Sequence, residues 1–226
     1  MSELWLALLP ILLAMLISPA RTLAVILLLH TPKQGLTAFV FVCGMVSSMM
    51  VQGIIFGFLL SIVGLTADQR AGDLATVVST LFVVAGLILL AGASKFIFQD
   101  DDDDKPPPDW LTKIEHLSPK QAYSTGFGWL MVSPKQWVFV LTAVAVIFTA
   151  NLSAIASLVN FLIFTVLIQI VYFIIIGLHL AMPKRSRRIL DTLFVWLKQH
   201  LRAVAIIVFA GFGLFFVVKG LVGLAG

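Results

Sequence analysis

Residues 4–29 read LWLALLPILLAMLISPARTLAVILLL, an apolar run carrying a single charge, Arg21. A helix rises about 1.5 Å per residue, so a run of this length crosses the roughly 30 Å hydrocarbon core of a bilayer. Five more such runs follow, at 36–65, 76–94, 121–149, 152–182 and 203–224. None shows the short apolar–polar alternation of a barrel strand. The fold expected is therefore all-α, a polytopic membrane protein of six transmembrane helices. Composition points the same way. Of 226 residues 60% are apolar and 12% charged, with a mean hydropathy of +1.07. That is more apolar surface than a soluble chain of this size can bury, and too little charge for a disordered one. The opening Met1-Ser2-Glu3 lacks the positive region of a signal peptide, so the first run is expected to persist as a helix. The single cysteine, Cys43, excludes a disulfide framework, a cysteine cage for a metal and dithiol chemistry within one chain.

The connections set an orientation. Lys33, then Lys95, Lys105, Lys113 and Lys120, then the basic residues from Lys184 to Arg202 all fall on one side of a six-span chain, against Arg70 and Lys219 on the other. Basic residues stay on the cytoplasmic face, which predicts a membrane protein with both termini external and the two long connections in the cytoplasm. The excess of 15 basic over 11 acidic residues then calls for no nucleic-acid partner. Near the middle, five aspartates at 100–104, Lys105 and three prolines at 106–108 form a solvated, extended spacer. The aspartates lack the glycine and ligand spacing of a calcium loop. The chain accordingly divides into a first three-helix unit at 1–98, a linker with a short interfacial helix at 99–120, and a second three-helix unit at 121–226. Asp109 can cap the short helix, on which Trp110, Ile114 and Leu117 share a face. A second amphipathic segment, 188–202, aligns Leu190, Phe194, Leu197 and Leu201 and is expected to lie along the anionic inner leaflet.

The two units resemble each other. Ile17-Ser18-Pro19-Ala20-Arg21-Thr22 aligns with Val132-Ser133-Pro134-Lys135-Gln136-Trp137, each with Ser-Pro and a cation within two residues of the proline. Val83-Val84-Ala85-Gly86-Leu87 aligns with Val208-Phe209-Ala210-Gly211-Phe212 in the third helix of each unit. Three crossings is an odd number, so a duplicated unit must insert upside down, which predicts two inverted three-helix repeats.

The chain resembles the lysine-exporter superfamily, and within it the glycopeptidolipid- and sulfolipid-addressing branch. The residues that carry the resemblance are Ser18-Pro19, Thr31-Pro32-Lys33, and the succession Pro108-Asp109-Trp110-Leu111, Leu117-Ser118-Pro119, Ala122 and Ser133-Pro134-Lys135-Gln136. In that branch a tryptophan-led short segment, a proline-led helix start and an Asn-Pro-Lys motif recur in this order; here Ser133 stands in place of the asparagine. The resemblance implies a six-helix exporter-like protein of the bacterial inner membrane whose substrates range, between branches, from amino acids to complex lipids.

Arg21 and Lys135 sit near the middle of their runs, where a charge costs at least ~2.5–3.5 kcal/mol on insertion scales, so neither is expected to face lipid. Pro19 and Pro134 each remove a backbone donor and free a carbonyl one turn back, and Ser18 and Ser133 are expected to satisfy the exposed groups. This combination breaks a helix to build a site. The structural alternative is that both cations snorkel or neutralise carbonyls at a kink. No Asp or Glu lies well inside a run, so a cationic substrate or a carboxylate proton relay has little to work with. The expected substrate carries an anionic or zwitterionic group, on a small molecule or an amphipathic lipid, held by Ser18, Pro19, Arg21, Ser133, Pro134, Lys135 and Gln136. Gln52, Asn160 and Gln169 are expected to line the path or bond between helices. Gly53 and Gly57, four apart, suit helix packing. The scattered histidines have no nearby partner for a metal site, and the serines no adjacent base, so neither a cofactor nor catalysis is expected. The sequence thus predicts a transporter working by alternating access, with export implied by the resemblance alone, membrane lipids as partners and a homo-oligomer compatible with it. The alternative from another class is a non-transporting scaffold for a lipid-synthesis or secretion system.

Overall fold

A computed structural model of the protein describes residues 2–29, 34–62, 67–98, 113–114 and 116–225. Its long elements are α1 (Ser2–Leu16), α2 (Pro19–Leu29), α3 (Gln34–Ile62), α4 (Ala67–Phe98), α5 (Pro119–Val132), α6 (Pro134–Thr149), α7 (Ala154–Ala181) and α8 (Pro183–Ala225). Among the described residues there is no strand. Four helices are long and apolar enough to span a membrane alone, and there are six spans if α1–α2 and α5–α6 each count as one bent crossing.

The bends fall at the Ser-Pro pairs, 56° between α1 and α2 and 75° between α5 and α6. Proline pushes the preceding residue out of the helical region, and Ser133 accordingly sits at φ −79°, ψ 111°. The same chemistry starts α5: Ser118 is extended before Pro119 and closes a capping box with Gln121, whose side chain accepts from the Ser118 amide at 3.0 Å. The turn into α7 relies on Asn151, at φ 48°, a conformation that asparagine tolerates better than most residues, and on the Ser153 cap.

Two close helix pairs organise the core. α4 and α8 run antiparallel with backbones almost in contact: a Cβ on Gly86 would stand 2.6 Å from the Gly213 carbonyl oxygen, and one on Gly220 2.6 Å from that of Ser79. The aligned Gly211 meets nothing within 4 Å, so the contact falls one half-turn beyond the position the sequence comparison marks. α3 and α5 run in the same direction, joined where Gly44 meets the Tyr123 carbonyl and Gly126 the Phe41 carbonyl. Sequence reading singled out neither pair member.

The segment 188–202 is not a separate interfacial helix. With no Gly or Pro to interrupt it, it forms part of the 43-residue α8, about 65 Å long, twice what the bilayer core needs. Its stripe turns inward, burying Leu190 and Leu197. Arg202 fixes the register by donating from Nε to the Phe96 carbonyl at 2.8 Å and from Nη2 to that of Ile97 at 3.1 Å, covering the end of α4. The acidic linker and most of the short helix expected near 109–117 lie outside the described residues; of that helix, Ile114 is buried and Leu117 packs on the core.

Candidate functional site

The site is built from the two breaks. At the first, Arg21 is the third residue of α2 and only 3% exposed. Its Nη2 donates to the carbonyl of Met15 in the last turn of α1. Its Nη1 is buried without a hydrogen-bond partner, and the guanidinium carbon lies 5.9 Å from the Tyr172 ring centroid on α7. The kink-neutralising role and a free binding arm therefore coexist in one side chain.

At the second break different groups serve the carbonyls that Pro134 frees. Trp137 Nε1 donates to Met131 O at 2.6 Å, and Gln52 Nε2, from α3, to Leu130 O at 3.0 Å. The expected serine caps do not form there: the Ser133 side chain makes no cap bond to α6. At the first break Ser18 accepts through its backbone carbonyl, from the Thr22 amide at 3.0 Å and the Thr22 hydroxyl at 3.1 Å. A serine side chain is short, and longer Arg, Gln and Trp side chains reach the orphaned oxygens instead. Lys135 is thereby left to other uses. It is half-buried, its Nζ 4.6 Å from the Phe209 ring centroid. Beside it Gln136 is buried with Nε2 unpartnered, while Pro134 is exposed and Pro19 buried.

Polar groups continue between the breaks. Gln52 Nε2 also approaches Met131 Sδ at 3.8 Å, and Gln169 Nε2 on α7 approaches Met49 Sδ at 3.9 Å, so two methionine sulfurs link α3 to α5 and to α7. The Oε1 atoms of both glutamines and the Tyr172 hydroxyl are buried without partners. Such groups are costly to leave unpaired and suit a cavity that takes a polar ligand. Asn160 does not join them. It donates to Ala156 O of its own helix at 2.8 Å and stands nine residues from Gln169, about 13 Å along α7. Tyr172 and Trp137 escaped the sequence reading, although one follows Gln169 by three positions on a shared face and the other ends the Ser-Pro-Lys-Gln-Trp string. Arg21 is the one charged side chain in the buried polar set, which contains no Asp or Glu among the described residues.

The arrangement defines a class: an all-helical polytopic membrane protein with two spans broken at Ser-Pro and a cation following each break. Residues 8–222 match the family model described as Sap, sulfolipid-1-addressing protein, and the chain belongs to that family, which ties a membrane protein to lipid export. No curated protein and no solved structure matches the chain.

Proposed function

We propose that the protein exports an anionic, zwitterionic or amphipathic small molecule or lipid across the bacterial cytoplasmic membrane by alternating access about the two broken spans. The observation that carries this reading is a cation just after each break, Arg21 buried with its Nη1 unpartnered and Lys135 half-buried, with no Asp or Glu in the buried polar set among the described residues. An oxyanion at the breaks is attracted by both cations, and the unpartnered Nη1 of Arg21 and Nε2 of Gln136 supply directed donors. The family description names a sulfolipid, whose chemistry joins an oxyanion to hydrocarbon. The two units act in this reading as inverted repeats, as in the lysine-exporter superfamily that the sequence resembles. Matching Ser-Pro breaks and the direct pairing of the third span of each unit support it. Basic connections inside and both termini outside complete the topology.

Reconstitution into vesicles with fluorescent phosphatidic acid tests it. Arg21→Ala with Lys135→Ala is expected to abolish movement of the lipid while helical content is retained. Full movement in the double variant would end the transport-site reading. A scaffold, by contrast, would tolerate both changes and lose its role when residues 184–188 are deleted.

A further inference from the structure

Between the C-terminal halves of α3 and α6 and the N-terminal half of α7 lies a cavity of about 460 Å³, inside the ~300–1,000 Å³ range of ligand pockets. Its walls are mostly hydrocarbon and aromatic, as at Ile54, Phe58, Ile147 and Phe161, with Asn151 and Ser157 also in the lining; Ile54 and Phe58 are exposed, so it opens on the surface of the helices. The Ser61 hydroxyl, also in the lining, donates to Phe58 O of its own helix at 2.7 Å and so offers little to a guest. Two glycines shape the space in opposite ways. A Cβ on Gly53 would stand 2.1 Å from the Phe161 ring, so that glycine admits the ring against α3, whereas Gly57 has nothing within 4 Å of its Cβ position and keeps the cavity open. The packing role expected of both belongs to Gly53 alone.

The cavity is lined by α3 and α6, the helices that also meet at the second break. Gly53 follows Gln52, which bonds the α5 end, and Phe56, between the two glycines, meets Trp137 edge-on at 5.5 Å. Val144, also in the lining, lies nine positions after Lys135 on α6, about 13 Å away. A cation at the break and a largely hydrocarbon-lined recess farther along the same helix, within the length of an alkyl chain, suit an amphiphile. We propose that this cavity receives a hydrocarbon chain of an anionic lipid whose headgroup charge is held by Arg21 and Lys135, so that the lipid is recognised at two places. The proposal rests on the transport-site reading above and adds chain length to charge as a determinant.

The test is the melting temperature of the full-length protein in mild detergent with dioctanoyl or dipalmitoyl phosphatidic acid. The two share a headgroup and differ in chain length. In the wild type the long-chain lipid is expected to add roughly 2–4 °C beyond the short-chain one. Gly57→Leu fills the cavity and is expected to erase that difference while keeping the short-chain shift. Gly177→Leu, on an exposed face of α7 with nothing within 4 Å, is expected to keep both. Should Gly57→Leu fail to purify, Ser157→Leu enters the same cavity from α7. A chain-length advantage that survives in the filled variant overturns the proposal. If uncharged dipalmitoyl glycerol stabilises the wild type as well as the phosphatidic acid does, the headgroup reading fails, and loss of that shift in Gly57→Leu would sustain the cavity alone.

Discussion

The Arg21 guanidinium and the Lys135 ammonium hold corresponding places in the two bent spans, each just after the proline that restarts the helix. Burial in a poorly screened interior raises the cost of each charge. Arg21 recovers part of that cost through Met15 O and the face of Tyr172, and Lys135 through the face of Phe209. In the proposed function an anionic substrate supplies the balance.

The break at Pro134 depends on Trp137. Trp137→Phe keeps the edge-on contact with Phe56 but removes the donor to Met131 O. Leaving that partly buried carbonyl without its donor is expected to cost about 1 kcal/mol. A lowered melting temperature in detergent is the readout, and an unchanged one would mean that another donor takes over.

The α4–α8 contact separates two glycines that look equivalent in the sequence. Gly86→Ala drives a methyl into the Gly213 backbone and is expected to lower stability or yield aggregated protein, because backbone cannot yield as a side-chain tip can. Gly211→Ala has open space, and is expected to leave stability unchanged or raise it by up to about 1 kcal/mol through helix propensity. Size-exclusion profiles and melting curves of the two variants check this directly.

Arg202 closes the end of α4. Arg202→Gln is expected to lower stability by about 1 kcal/mol by loosening the bonds to Phe96 O and Ile97 O and removing a cation from the negative end of the helix dipole. Arg202→Lys is expected to recover part of the loss, since charge survives while the forked geometry does not. Hydrogen exchange at the last turn of α4 reads the effect locally.

Hydropathy made the spans legible, because lipid imposes long apolar runs that few other contexts require. Ser-Pro inside a run made the two breaks legible, since proline acts on local backbone whatever surrounds it. Which side chain serves a freed carbonyl was not legible. Gln52 reaches Leu130 O from another helix, and only the packing of α3 on α5 brings them together. The fate of 188–202 was missed for a similar reason: an amphipathic stripe has the same spacing whether it meets lipid headgroups or a neighbouring helix, and here Leu190 and Leu197 meet protein. Asn160 looked like Gln169 in sequence, but its position along α7 removes it from the breaks.

Topology follows from the distribution of Lys and Arg. A reporter inserted after Lys105 is expected to read cytoplasmic and one fused after Gly226 external. The reverse pair of signals would invert the orientation and with it the direction of export.

The most direct measurement is the thermal shift given by dipalmitoyl lipids of matched chain and different headgroup charge: phosphatidic acid, phosphatidylcholine and a trimethylammonium analogue. The lipids are applied to the wild type, Lys135→Gln, Lys135→Arg and the exposed-surface control Lys120→Gln. If Arg21 and Lys135 hold an anion, phosphatidic acid gives the largest shift in the wild type. That shift shrinks in Lys135→Gln, persists at least in part in Lys135→Arg, and survives in Lys120→Gln at a salt concentration that screens surface charge. A wild type stabilised more by the trimethylammonium lipid than by phosphatidic acid, or a Lys135→Gln variant with the full phosphatidic acid shift, would contradict the anionic site.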